Sequence, residues 1–248
     1  MRTVAVIPAR FGSERLPGKV LREVAGVPLI QYVYRAVKGS RGIERIIVAT
    51  DDERVKRMVE SFGGEAVMTS PDHASGSDRC AEVASSLDCD AILNVQGDEP
   101  LVRGDLLDTL IMALSGDGAA HAATPFVSLE NAADVEDPNV VKAVSGLGGY
   151  ALYFSRSPIP YLREKAVIHR KHIGVYCYRT AALLKFASLP PSPLEQAEKL
   201  EQLRMLENGF NIRMVEWSGQ FIGIDTEEDL ERFREMVERG EVRITNDQ

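Results

Sequence analysis

Short, uninterrupted apolar runs recur along the N-terminal half of the chain, each separated from the next by a segment with helical spacing. Val4-Ala5-Val6-Ile7, Arg45-Ile46-Ile47-Val48-Ala49-Thr50, Glu65-Ala66-Val67-Met68 and Ala91-Ile92-Leu93-Asn94-Val95 read as strands. Leu29 to Val37, Val55 to Phe62 (stopped by Gly63-Gly64) and Asp78 to Leu87 read as helices. Runs that are apolar without alternation belong to strands covered on both faces. The pattern therefore predicts βαβ units that build a mostly parallel sheet between helices, with ligands at the carboxyl ends of its strands.

Those strand ends carry chemistry. After the first strand comes Pro8-Ala9-Arg10-Phe11-Gly12-Ser13-Glu14-Arg15-Leu16-Pro17-Gly18-Lys19. Backbone N–H groups in such a turn can face a polyanion while Arg10, Arg15 and Lys19 supply positive charge, so a phosphate chain is its natural guest. The loop lacks the three spaced glycines of a dinucleotide fingerprint and the Lys-Ser/Thr of a Walker A loop. Taken alone it reads equally as a solvated strand-to-helix connection.

Thr50-Asp51 ends the second strand, and Gln96-Gly97-Asp98-Glu99-Pro100 follows the strand at Ala91 to Val95. An acid at the end of a buried strand is costly unless paired, solvated or bound to a cation, which makes Asp98 a candidate Mg²⁺ ligand. Gln96 is placed to read a base or ribose edge, and Gly97 lets the backbone approach closely. The competing reading is a polar turn that caps a helix beginning near Pro100. A second acidic segment, Gly223-Ile224-Asp225-Thr226-Glu227-Glu228-Asp229-Leu230, again precedes a helix. There Thr226 suits an N-cap, and an inward Asp225 would share with Asp98 the cations that screen a triphosphate.

The 248 residues are 44% hydrophobic, enough for a large core. A formal charge of −8 argues against a general nucleic-acid binder and for a small anionic ligand held in a cleft. Cys80, Cys89 and Cys177 lack metal-ligand spacing and are odd in number, so buried thiols are expected rather than a disulfide framework or zinc knuckle. The first apolar run is too brief for a secretory signal, and no later run suits a bilayer span. A soluble, cytoplasmic protein without membrane insertion is expected. Beyond Ser115, glycine-punctuated strands (Ala122 to Val127, Val140 to Val144, Tyr150 to Ser155, Ile173 to Tyr178) predict a second, sheet-rich lobe. Pro190-Pro191-Ser192-Pro193 then yields to one long helix, Leu194 to Asn208, ended by Gly209.

Together these segments resemble the 3-deoxy-D-manno-octulosonate (Kdo) cytidylyltransferases, the CMP-Kdo synthetases of lipopolysaccharide biosynthesis. The resemblance runs nearly end to end. It rests on Ile7-Pro8-Ala9-Arg10 through Arg15-Leu16-Pro17-Gly18-Lys19, Val48-Ala49-Thr50-Asp51, Ser75-Gly76-Ser77-Asp78-Arg79 and Asn94-Val95-Gln96-Gly97-Asp98-Glu99-Pro100. It continues in Gly149-Tyr150-Ala151-Leu152-Tyr153-Phe154-Ser155-Arg156, His172-Ile173-Gly174-Val175-Tyr176, Leu200-Glu201-Gln202-Leu203-Arg204 and Asp225-Thr226-Glu227-Glu228-Asp229-Leu230.

The fold it implies is α/β: a Rossmann-like, mostly parallel sheet with helices on both faces, of the nucleotide-diphospho-sugar transferase type, with a smaller sheet-rich lobe. Residues 1–248 would form a single cytidylyltransferase domain, with a nucleotide-binding core of 1–115 plus 191–248 and a sugar-binding, dimer-forming lobe of 116–190. The implied reaction is CTP plus Kdo giving CMP-Kdo and pyrophosphate, with Mg²⁺ as cofactor and a homodimer as the working form. By this resemblance Arg10, Arg15 and Lys19 hold the triphosphate and steady the leaving pyrophosphate. Asp98 and Asp225 are the metal ligands, and Ala9, Arg10, Lys19, Arg79 and Gln96 contact CTP. Arg156, Arg163, His172, Tyr176, Glu201 and Gln202 take Kdo, the guanidinium groups suiting its carboxylate.

Each residue also has a plainer reading. Arg79 is placed to pair with Glu82 on its own helix face, Arg156 and Arg163 read as surface charges, His172 as a structural histidine, and Tyr176 as part of an aromatic core with Tyr153 and Phe154. Glu201 and Gln202 are adjacent on a helix and diverge by about 100°, so at most one aims straight at the sugar, and Gln202 ranks ahead. The alternative functions are a cytidylyltransferase for 8-amino-Kdo or another acidic sugar and, from a different class, a catalytically silent nucleotide-sugar-binding protein. Retention of Lys19, Asp98 and Asp225 argues against the last.

Overall fold

The computed structural model describes residues 1–12, 16–164, 167–219 and 221–242. The chain divides into two compact units, 1–108 with 220–248, and 109–219.

In the first unit β1 (Thr3–Pro8) is buried along its whole length. After it come a single 3₁₀ turn at Lys19–Leu21, the small hairpin β2 (Glu23–Val24) and β3 (Val27–Pro28), and α1 (Leu29–Lys38). The chain continues through β4 (Arg45–Thr50), α2 (Glu53–Ser61), β5 (Glu65–Met68), α3 (Gly76–Ala84) and β6 (Ala91–Asn94). The strand order is β5-β4-β1-β6, every pairing parallel, with Val6 opposite Ile47 on one side and Asn94 on the other. This is the parallel sheet expected from the unbroken apolar runs. Side-chain caps set the helix starts: Asp52 accepts from Arg54 N for α2, and Ser75 accepts from Asp78 N for α3. The capped start of α3 lies two residues before Asp78, where the helical spacing alone would begin it. The helix expected near Pro100 begins at Gly104 as α4 (Gly104–Ser115), within which the division between units falls.

The second unit contains β7 (Ala122–Ser128), α5 (Ala132–Glu136), β8 (Lys142–Ser145), β9 (Ala151–Ser155), β10 (Arg170–His172), β11 (Tyr176–Arg179), α6 (Thr180–Ala187), α7 (Pro193–Glu198), α8 (Gln202–Glu207) and β12 (Ile212–Glu216). β7 is its hub, antiparallel to β10 and β11 and parallel to β12, while β8 joins β10 to β9. Ile212 to Glu216 pair with Ala122 to Phe126, so residues 191–219, expected with the nucleotide core, group with 109–190 instead.

Two expected elements are broken. The strand from Ile173 to Tyr178 is interrupted by a γ-turn around Gly174, where Val175 N donates to Ile173 O at 2.8 Å. The long helix from Leu194 is two helices, because Lys199 adopts φ 54 and ψ 47. The cause is a buried ion pair. Arg204 donates from Nε and Nη2 to Glu195 at 2.8 and 2.7 Å, whereas nine residues of one straight helix span about 13 Å. The bend brings α8 back onto α7.

The chain returns to the first unit with α9 (Glu227–Glu238), opened by a reciprocal capping box between Thr226 and Asp229. Leu230 and Phe233 pack with Leu16, Val24, Leu29, Tyr32 and Ile224 in one buried cluster. Tyr32 meets Phe233 edge-on at 5.1 Å and donates its hydroxyl to Val24 O. Leu16 lies three residues before Lys19 and Ile224 directly before Asp225, so apolar packing fixes the segments that carry this lysine and this acid.

Candidate active site

The basic loop leaves β1 with Ala9 buried and its N–H given to Ala49 O at 2.9 Å. Arg10 is exposed, and Arg15 lies outside the described residues. The loop is pinched at its base. Gly18 N donates to Phe11 O at 3.1 Å, and the Phe11 ring occupies the space where a Cβ on Gly18 would stand. Gly18 has φ 66, so both the conformation and the contact call for glycine. On the Phe11 ring lies the Arg54 guanidinium, 3.5 Å from the centroid.

Beyond the pinch, Lys19 reaches across to the acids. Its Nζ contacts Asp98 Oδ2 and donates to Asp225 Oδ1 at 2.9 Å. Burial alone would lower the Lys19 pKa, but the Asp98 and Asp225 carboxylates outweigh it and hold the ammonium above its ordinary range. Ile224 N donates to Asp98 O at 2.9 Å, clipping the two acidic segments together. Gly97 N donates to Pro8 O, and a Cβ there would lie 3.0 Å from that same oxygen. The close approach expected of Gly97 is thus present, and it sets Asp98 beside the basic loop. Thr226 caps α9 while Asp225 turns to Lys19, so the cap and the ion pair coexist on neighbouring residues.

Gln96 donates its amide to Asn94 Oδ1 at 3.0 Å and stands against Gly76 at the start of α3. Arg79 is 3% exposed; it donates from Nη2 to Asp51 Oδ2 at 2.8 Å and from Nη1 to Thr69 Oγ1. Its ion-pair partner is Asp51, and Glu82, the partner expected on its own helix, binds His73 and Ser70 N. Asp51 also accepts from Phe11 N at 3.5 Å, which links Arg79 to the loop. Sequence reasoning placed Asp51 at a strand end but gave it no role. A carboxylate following a buried strand, as at Asp98, was the available signal.

In the second unit the structure assembles His172, Tyr176 and Glu201. The His172 ring meets Phe154 at 4.9 Å and Tyr176 at 5.4 Å, and Tyr176 stacks on Tyr178 at 5.1 Å. Burial pushes the His172 pKa down to about 3, so the imidazole is neutral. Its Nε2 lies 3.1 Å from Thr124 Oγ1, whose single proton is directed at the Ile173 and Val175 carbonyls. Nε2 is therefore the protonated nitrogen, and Nδ1 is the acceptor.

The Tyr176 hydroxyl is buried beside Thr124, whose own proton is turned to those carbonyls and whose oxygen remains open to the phenol. Burial first, then the Glu201 carboxylate, raises its pKa well above the ordinary value. Gln202 is buried at the start of α8. Arg163 is exposed, with no contact to this group among the described residues. Arg156 is tied to backbone carbonyls.

A parallel sheet whose strand ends carry a basic loop and one carboxylate, joined through a lysine ammonium to a second carboxylate just before α9, has the build of an α/β nucleotidyltransferase. The sequence matches the cytidylyltransferase family over residues 4–214, and the chain belongs to that family. A 3-deoxy-manno-octulosonate cytidylyltransferase of Geobacter sulfurreducens is 46% identical over 249 residues, covering 96% of this chain and 100% of its own. One from Syntrophotalea carbinolica is 49% identical over 242 residues, covering 94% and 97%. The solved structure of a CMP:2-keto-3-deoxy-manno-octonic acid synthetase complexed with CTP matches with a TM-score of 0.93 at 43% identity, covering 97% of this chain and 100% of that one.

Proposed function

We propose that this chain transfers CMP from CTP to Kdo, giving CMP-Kdo and pyrophosphate for lipopolysaccharide biosynthesis. The observation that carries the reading is the convergence of Asp98 and Asp225 on the Lys19 ammonium beside the basic loop. Two carboxylates that already meet at one cation form the donor set Mg²⁺ uses together with phosphate oxygens, so the residues fit that ion. When bound there, Mg²⁺ would neutralise phosphate charge and help bring the two substrates together. Arg10 and Lys19, with Arg15, bind the triphosphate and stabilise charge on the departing pyrophosphate. Gln96, the Ala9 carbonyl and the α3 segment anchored by Arg79 orient the nucleotide for in-line attack by the sugar's C2 oxygen on the α-phosphorus.

For the sugar, His172 Nδ1 accepts from a hydroxyl, and the Tyr176 hydroxyl offers a second polar contact. Glu201 and Gln202 bring further polar groups, and exposed Arg163 suits the carboxylate. The names of the relatives and the CTP complex of the structural neighbour support this assignment. The working form is a cytoplasmic homodimer. Exposed apolar side chains of the second unit, including Leu147, Leu152, Val167 and Ile168, support its role in association. No described helix is long and apolar enough to cross a membrane.

Pyrophosphate release from CTP tests the reading, with Kdo, 8-amino-Kdo and sialic acid offered separately, with and without Mg²⁺. Release with Kdo that needs Mg²⁺ is expected. No release with any of the three sugars would overturn the synthetase, and a strong preference for another sugar would reassign the acceptor.

A further inference from the structure

Arg156, at the end of β9, spends its guanidinium on backbone. Nε donates to Glu198 O at 2.7 Å, Nη1 to Pro138 O at 2.9 Å and Nη2 to Lys199 O at 3.5 Å. Its own N–H donates to Glu198 Oε2 at 3.0 Å, while Ser155 donates to Glu198 Oε1 at 2.6 Å. Glu198 and Lys199 are the last residue and the C-cap of α7, where helix carbonyls lack partners along the chain. Lys199 is also the non-glycine residue with positive φ that turns α7 into α8. From the other side, the fully buried Lys142 donates its amine to Asp137 O at 2.8 Å and fixes the turn that Arg156 holds through Pro138.

Three segments of the second unit thus meet at one planar fork: the end of β9, the turn at Asp137-Pro138 and the α7–α8 corner. A lysine ammonium cannot reproduce that fan of donors. Two residues beyond the corner stands Glu201, at the start of α8 and next to the buried Gln202. The geometry points to Arg156 as a positioning residue: it locks the α7–α8 corner and with it the placement of Glu201 at the start of α8, on the side of the sugar site. The inference rests on the synthetase reading only for its kinetic test, since the corner itself is open to direct measurement.

The experiment compares full-length wild type, Arg156→Lys, Arg156→Ala, Glu201→Gln and the Arg156→Ala/Glu201→Gln double variant. Hydrogen exchange of the amides at 198–203 is measured first and needs no substrate. Exchange there should quicken at least tenfold in Arg156→Lys, which keeps the charge and the fold, while amides of β1 and β4 stay unchanged. Unchanged exchange in Arg156→Lys would overturn the inference. In the pyrophosphate assay, Arg156→Ala should raise KM for Kdo at least tenfold with KM for CTP within threefold. In the Glu201→Gln background the same substitution should add less than threefold, because its effect passes through Glu201. Full multiplication of the two losses would instead make Arg156 an independent sugar contact. If wild type releases no pyrophosphate, the synthetase reading fails while the exchange result still decides the role of Arg156.

Discussion

A neutral histidine in an aromatic setting is a plain residue with a measurable signature. Its folded-state pKa of about 3 lies below the ordinary 6.5, so as pH falls the unfolded chain takes up the proton first. Stability is therefore lost below about pH 6.5 and continues to fall toward pH 3. Between pH 6.5 and 5 the loss from His172 should be about 2 kcal/mol, and His172→Gln should flatten that part of a urea-denaturation pH series. The same burial means that no ionisation of His172 should appear in the pH dependence of sugar KM between pH 6 and 8. Around Lys19 the opposite charges matter more than burial. Asp98→Asn should cut turnover by about a hundredfold or more, with melting little changed because Asp225 still pairs the ammonium. Lys19→Met leaves two uncompensated carboxylates, so Mn²⁺ binding without nucleotide, read by electron paramagnetic resonance, should strengthen as turnover falls.

At the scale of elements, the first unit was largely legible because its information is local. Unbroken apolar runs gave β1, β4, β5 and β6, and the acids at their ends marked the site. What was not legible depended on partners distant in sequence. Nothing within Leu194 to Asn208 forbids a continuous helix; the bend at Lys199 comes from the pairing of Glu195 with Arg204 after the chain has folded back. Likewise Arg79 has an acceptable partner on its own helix in Glu82, and only the packing of α3 on the sheet hands it to Asp51. The candidate sugar-site residues come from the family resemblance alone, since one histidine and one tyrosine carry no spacing signal of their own. The Glu195–Arg204 pair can be tested directly. Glu195→Gln leaves the buried guanidinium half-paired and should cost about 3–5 kcal/mol in chemical denaturation, whereas the double change to apolar residues should recover much of it.

Across the whole molecule, each of the two compact units is closed by a segment late in the sequence. β12 completes the second through β7, and α9 completes the first by packing Leu230 and Phe233 onto Leu16, Leu29 and Tyr32. Phe233→Ala should destabilise the protein by about 3–5 kcal/mol. It should also weaken CTP binding at temperatures where the fold survives, because the cluster holds the segments that carry Lys19 and Asp225. A change in melting temperature with unaltered CTP affinity would separate the cluster from the site.

The position of Asp225 has a consequence for synthesis on the ribosome. Lys19 and Asp98 emerge early and can meet as soon as β1 and β6 pair, yet their third partner is delivered only with the segment that leads into α9. A nascent chain stopped before Ile224 would hold a lone carboxylate against the lysine, without the second acid of the proposed Mg²⁺ pair and without the Leu230 and Phe233 packing of α9. Chains truncated before Asp225 should therefore release no pyrophosphate rather than show partial activity.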